Sequence, residues 1–217
     1  MGLQNYDISG ITLLILFDLE LFLNHYKLLL QKGYDKKYSP SRNTAVNISM
    51  RIQDINEIHE LGMNFKVKFK VNMEWFDPRI TFRNLVKSSN ENLLDLDEVG
   101  QIWIPQLLIL NSNEEKKQLP YIAQGHELDF IIKIERLGNP QGNPLEEIDE
   151  DYIYPGKENR IIMINYITVI LQCKFNLTLY PFDIQKCPIK LAVAGYQYHN
   201  QFGLKWQKGK INSLNRA

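Results

Sequence analysis

Apolar and polar residues alternate one for one through much of the chain, the pattern of strands with one buried face. The clearest run sets Phe65, Val67, Phe69, Val71 and Met73 on one face and Lys66, Lys68, Lys70 and Asn72 on the other, which excludes a helix there. Upstream, Val46, Ile48, Met50 and Ile52 alternate in the same way. Residues 57–62 lie between the two runs and supply polar side chains and a glycine, so the pair is predicted to form an antiparallel hairpin turning near Glu60. Further strands are predicted over 101–110, 127–136, 161–175, 189–193 and 202–206, and the natural architecture for so many short strands is two packed antiparallel sheets. One segment departs from the pattern. Residues 18–31 place Leu19, Phe22, Leu23, Tyr26, Leu29 and Leu30 at three- and four-residue spacing, an amphipathic helix that Gly33 can end.

Residues 137–159 hold three prolines, three glycines and an acidic cluster (Glu146, Glu147, Asp149, Glu150, Asp151), and are predicted to be a solvated loop with at most a short strand rather than a cation site. The remaining signals mostly narrow the function. A chain of 217 residues suits one domain, assigned to 18–217, with 1–17 as a leader or a disordered or helical extension. Twenty-five basic residues balance twenty-five acidic ones, so no global field draws the chain to nucleic acid or an anionic membrane. The longest apolar run, residues 11–23, is too short to span a bilayer and is broken by Asp18 and Glu20. No internal repeat, zinc-finger spacing, phosphate-binding glycine loop or HExxH appears, and His25, His59, His126 and His199 are scattered. Neither an enzyme nor a cofactor or metal protein is expected.

Two cysteines, Cys173 and Cys187, have thirteen residues between them. That spacing alone leaves open a disulfide, which would close a small loop, or two free thiols in a reducing compartment. The residues inside the interval say more: it reads CKFNLTLYPFDIQKC, with Tyr180-Pro181-Phe182-Asp183 and then Gln185. Aromatic-Pro-aromatic-Asp between such cysteines resembles the signature of the Cys-loop, neurotransmitter-gated ion-channel family. Other motifs follow in register. Leu29-Leu30 and Gly33-Tyr34-Asp35 before Pro40 resemble the family's junction of first helix and first strand; Trp75 to Arg79 (WFDPR) resembles its W-x-D motif in the form common among anion-selective members. Trp103-Ile104-Pro105 with Asn111 resembles W-x-P-D-x-x-x-x-N, with Gln106 in place of the acid. The resemblance spans about residues 28–206.

It implies a mainly β fold, an immunoglobulin-like two-sheet sandwich of the extracellular ligand-binding type behind an N-terminal α-helix, bridged between Cys173 and Cys187. It implies assembly with homologous subunits into a pentamer, and a coupling role towards the channel helices for Tyr180, Pro181, Phe182 and Asp183. Glu60 falls where the family carries an acidic coupling residue in its first hairpin. Pro181 independently predicts a sharp turn that presents Phe182 outward. Trp75 and Trp103 are expected in the core. Asn47 and Asn176 begin glycosylation sequons, which matter if the chain is secreted.

Family members bind a small, usually cationic amine between subunits in a box of aromatic side chains. Here Ala194 falls where the central aromatic normally stands, although a shift of two residues would put Tyr196 there. Leu108 and Ile109 replace the aromatic pair after Trp103, and Lys70 takes an aromatic position on the complementary face. Lys70 would repel an ammonium group by several kcal/mol at an effective dielectric of about 20, more than a cation–π contact of about 1–2 kcal/mol returns. The small-molecule ligand therefore stays unassigned. Since Ala217 follows closely on the strand at 202–206, the family's capping loop, last strand and four membrane helices are expected to be missing from this sequence. Two readings result: the extracellular ligand-binding and coupling domain of a channel subunit at the cell membrane, or a soluble or structural homologue, secreted, without agonist-gated activity.

Overall fold

A computed structural model describes residues 28–41, 43–113, 117–119, 130–141, 152–193 and 202–207. The predicted hairpin organises it. Strand β2 (Thr44–His59) and strand β3 (Asn64–Trp75) run antiparallel, and Met63 N–H donates to Glu60 O at 3.2 Å across the turn. Val46, Ile48, Phe65, Val67, Phe69, Val71, Met73 and Trp75 are all buried, because alternation sends every second side chain to the same face. A bulge falls between Ile52 and Asp54 of β2. The extra residue keeps Ile52 opposite Phe69 and Ile55 opposite Val67, so both isoleucines stay on the core face although three positions separate them.

β3 also pairs with β9 (Arg160–Gln172), β9 with β7 (Phe130–Glu135), and β2 with β11 (Phe202–Trp206), giving one five-stranded sheet in the order β11-β2-β3-β9-β7. Two three-stranded sheets lie apart from it in hydrogen bonding. One joins β1 (Leu28–Leu30), β4 (Ile80–Arg83) and β8 (Ile153–Pro155); the other joins β10 (Leu191–Val193), β5 (Leu107–Ile109) and β6 (Lys117–Leu119). A single apolar cluster unites them, with Ile80, Phe82, Leu107, Ile109 and Tyr154 of the smaller sheets buried together with the large sheet's inner face. Trp103 meets Trp75 and Phe202 edge to face, at ring centroid distances of 6.1 and 5.5 Å, and both tryptophans are core as expected. On the large sheet Arg160 donates to Glu74 at 2.8 Å and to Glu135, tying three adjacent strands.

Four expectations need correction. Leu28–Leu30 is a strand paired with Ile80–Phe82 and not the last turn of a helix; β4 otherwise presents an unpaired edge, and three consecutive leucines satisfy either period. The rest of the predicted helix lies outside the described residues. Within 101–110 only Leu107–Ile109 is extended, since Trp103 N–H is taken by the Tyr34 hydroxyl at 2.6 Å and Pro105 has no N–H to give. The sheets are not wholly antiparallel, because β11 joins β2 in parallel. Between β4 and β5, where no element is predicted, stands a short helix, α1 (Leu96–Val99), started by an Asp95–Glu98 capping box. The acidic cluster of 146–151 lies outside the described residues.

The WFDPR segment turns β3 into β4 around a buried ion pair. Asp77 has no exposed side-chain surface; its Oδ2 accepts from Arg79 Nη2 at 2.7 Å and its Oδ1 from Arg79 Nε at 2.9 Å and Arg79 N–H at 3.0 Å. Tyr34 donates to Asp77 Oδ2 at 3.4 Å while the Arg79 guanidinium lies 4.5 Å from the Tyr34 ring centre. Burial pushes the Tyr34 phenol well above its ordinary value, with the Asp77 charge adding to the rise. For Arg79 burial acts downward, but the hydrogen bonds and charge of Asp77 outweigh it and hold the guanidinium above its ordinary value.

Candidate functional site

The cysteines are joined, with Cα atoms 5.4 Å apart. Asn111, the last residue of the W-x-P motif, holds both ends of the bridged loop. Its Nδ2 donates to Gln172 O at 3.1 Å and Pro188 O at 3.0 Å, and its Oδ1 accepts from Lys190 N–H at 2.9 Å. Inside the loop Gln185 acts as a staple. Its Oε1 accepts from Asn176 N–H at 2.9 Å and its Nε2 donates to Asn176 O at 2.9 Å and to Asp183. An amide side chain suits this position because it donates and accepts at once.

The tip turns tightly, with Phe182 N–H donating to Leu179 O at 2.7 Å and a cis peptide between Tyr180 and Pro181. Four apolar side chains are thrown outward: Leu179, Tyr180, Phe182 and Ile184, with Phe182 89% exposed. Such a cluster on one loop is the mark of a contact surface.

Beneath the loop a cavity of about 450 Å³ separates it from the hairpin. Ile52, Ile55, Phe175 and Ile189 wall it, and Glu60, Tyr180 and Asp183 line it too. The structure thus brings the hairpin acid and two of the four loop residues to one cavity, while Phe182 projects away from the fold. Cys187 lines this cavity and Cys173 lines a second one on the other side of the bridge.

The positions of the amine box are not brought together. Ala194 and Tyr196 lie outside the described residues. Leu108 is half-buried on β5 between Ala192 and Gln118, and Lys70 is half-buried on β3 of the large sheet. Sequence reasoning missed the partner of Lys70: Tyr166 stands opposite it on β9, and the Lys70 ammonium sits 5.5 Å from its ring centre. Only the β3–β9 register shows this. Asn47 is half-buried in β2 between β3 and β11, whereas Asn176 lies on the exposed loop, its Oδ1 accepting from Thr178 Oγ1 at 2.5 Å. Among the described residues no group of three His, Cys, Asp or Glu could hold a metal ion, and no helix is long and apolar enough to cross a membrane.

Comparison with known proteins agrees with the geometry. Residues 24–125 match the family described as the neurotransmitter-gated ion-channel ligand binding domain. The human gamma-aminobutyric acid receptor subunit gamma-1 is 23% identical over 185 residues, covering 84% of this chain and 33% of the relative. The mouse gamma-aminobutyric acid receptor subunit gamma-3 is 22% identical over 204 residues, covering 92% and 36%. The chain therefore spans about a third of the length of these relatives. This family is one of ligand-gated channels and not an enzyme class. With its stacked β-sheets, its bridged aromatic loop and these matches in sequence, the chain is similar to the Cys-loop receptor ligand-binding domains.

Proposed function

We propose that the chain works as the extracellular sensing and coupling domain of a pentameric ligand-gated channel subunit of the anion-channel branch. The observation that carries this reading is the exposed Tyr180–Ile184 tip standing beside the Glu60 hairpin over one cavity. In it Phe182 and Tyr180 are the apolar contacts to a membrane domain, Glu60 and Asp183 the charged ones, and homologous subunits the partners. The WFDPR sequence and the gamma-aminobutyric acid receptor relatives support the anion branch. The test is a chimera of residues 28–207 joined to the membrane domain of a gamma-aminobutyric acid receptor subunit, expressed in oocytes and challenged with amine and amino-acid transmitters. Gated currents that vanish in Phe182→Ala, with surface expression unchanged, are expected.

A second reading rests on Lys70 and Leu108. A domain whose aromatic positions hold a lysine and a leucine serves as a structural or secreted homologue that keeps the sandwich without amine-gated activity. Pentamers at the cell surface that pass no current with any transmitter would decide for it and against the first reading.

A further inference from the structure

The second cavity, on the Cys173 side of the bridge, has a volume of about 600 Å³ and a different chemistry. Lys174, Lys186 and Lys190 line it, and among the described residues no carboxylate does. In a chain with as many acidic as basic residues, three lysines around one cavity without an acid is a local feature and not a reflection of net charge. None of the three ammonium groups has an ion-pair partner among the described residues, whereas Lys66 and Lys157 each have one. Lys174 precedes the bridged loop's tip while Lys186 and Lys190 follow it, and the Cys173–Cys187 bond brings the two sides together. Met63 and Gly62 of the hairpin turn close another wall, fixed there by Cys173 N–H donating to Met63 O at 2.9 Å.

We propose that this cleft is an anion site for a phosphate-bearing organic molecule. Three lysines lining one cavity bring like charges near one another, and a multivalent anion turns their repulsion into attraction. Lysine serves phosphate as a mobile point charge with three donors, whereas a single carboxylate would leave charge unmatched. A cavity in the range of about 300–1,000 Å³ typical of small-molecule sites holds more than an inorganic ion. The Asn111 side chain contributes shape and no free donor, since both its N–H groups bond the loop ends, whereas Gln172 Nε2 donates one N–H to Asn113 Oδ1 at 2.9 Å and has a second to offer a ligand. The site is independent of the coupling reading, since none of Glu60, Tyr180, Phe182 and Asp183 lines it.

The phosphate could belong to a soluble metabolite or to a lipid headgroup, and the test separates them. The full chain is titrated calorimetrically with glycerol phosphate, and in parallel sedimented with phosphatidylcholine vesicles with and without phosphatidic acid. Saturable binding is expected in at least one arm, weakened as salt shortens the screening length from about 14 to about 4 Å. Each of Lys174→Gln, Lys186→Gln and Lys190→Gln should weaken it about threefold, and the triple variant more than tenfold. Lys157→Gln, which removes an exposed lysine outside the cleft, should leave it unchanged. Binding of glycerol phosphate assigns a soluble ligand; binding of acidic vesicles alone assigns a lipid headgroup. No binding in either arm, or binding that the triple variant retains, overturns the proposal.

Discussion

Cutting the Asp77–Arg79 pair from either side should give unequal losses. Asp77→Ala removes the acceptor for three Arg79 hydrogen bonds, yet the Arg79 side chain keeps 19% exposure and still donates to Tyr38 O at 3.0 Å. Removing one partner of a buried pair costs about 3–5 kcal/mol, and this variant belongs at the low end, about 3 kcal/mol. Arg79→Ala strands a carboxylate with no exposed surface, left with its own turn's N–H and the long 3.4 Å bond from Tyr34. It belongs at the high end, about 5 kcal/mol. For a domain of this size the two correspond to falls in Tm of about 9 °C and about 15 °C. The double variant should cost less than the sum by about 2 kcal/mol, since the second deletion removes a charge the first left alone. Urea unfolding followed by fluorescence of the buried Trp75 and Trp103 reads all three. Losses under about 1 kcal/mol for both single variants, or strict additivity in the double, would refute the view that this pair fixes the β3–β4 corner.

Three further outcomes are expected. Cys173→Ser or reduction should remove about 3 kcal/mol, the loop-closure entropy of a bridge over this interval, seen as a lower melting temperature with reductant than without. Asn111→Ala frees both ends of the bridged loop and should cost about 2–3 kcal/mol in urea unfolding, with earlier amide exchange at Gln172 and Lys190. Because the Tyr34 phenol is raised above its ordinary value of 10.0, the unfolded chain loses that proton first, so stability present below pH 10 falls as pH rises beyond it. Comparing unfolding at pH 9 and pH 11, Tyr34→Phe should show a smaller drop than the parent, and an equal drop would exclude Tyr34 as the source.

How much of this was legible in the sequence varied with the physics behind each feature. The β2–β3 hairpin was, because one sheet face is buried and the other wet, which prints a period of two with lysines marking the outer side. The bridged loop was, through the unusual residues between its cysteines and not through their spacing. The bulge after Ile52 left only a three-residue step to Ile55, too small a signal to read without the register. Leu28–Leu30 misled because a strand docking on an edge and a helix both accept consecutive leucines, and only the partner decides. The Lys70–Tyr166 contact and the lysine cleft are products of strand register and a covalent bond. Neither leaves a local trace in the chain.

The Lys70–Tyr166 contact has a bearing on how a soluble amine would compete. The ring already carries a cation from its own sheet, tethered beside it by the backbone of β3. Yet a cation–π contact with a half-exposed ring is worth only about 0.5–1 kcal/mol, so lifting the lysine away lowers an incoming amine's apparent affinity by no more than about fivefold. Occupancy is thus the weaker barrier. The stronger one is that the displaced ammonium cannot leave: tethered by its own backbone, it would stay as a positive neighbour to whatever took its place and disfavour a second cation there.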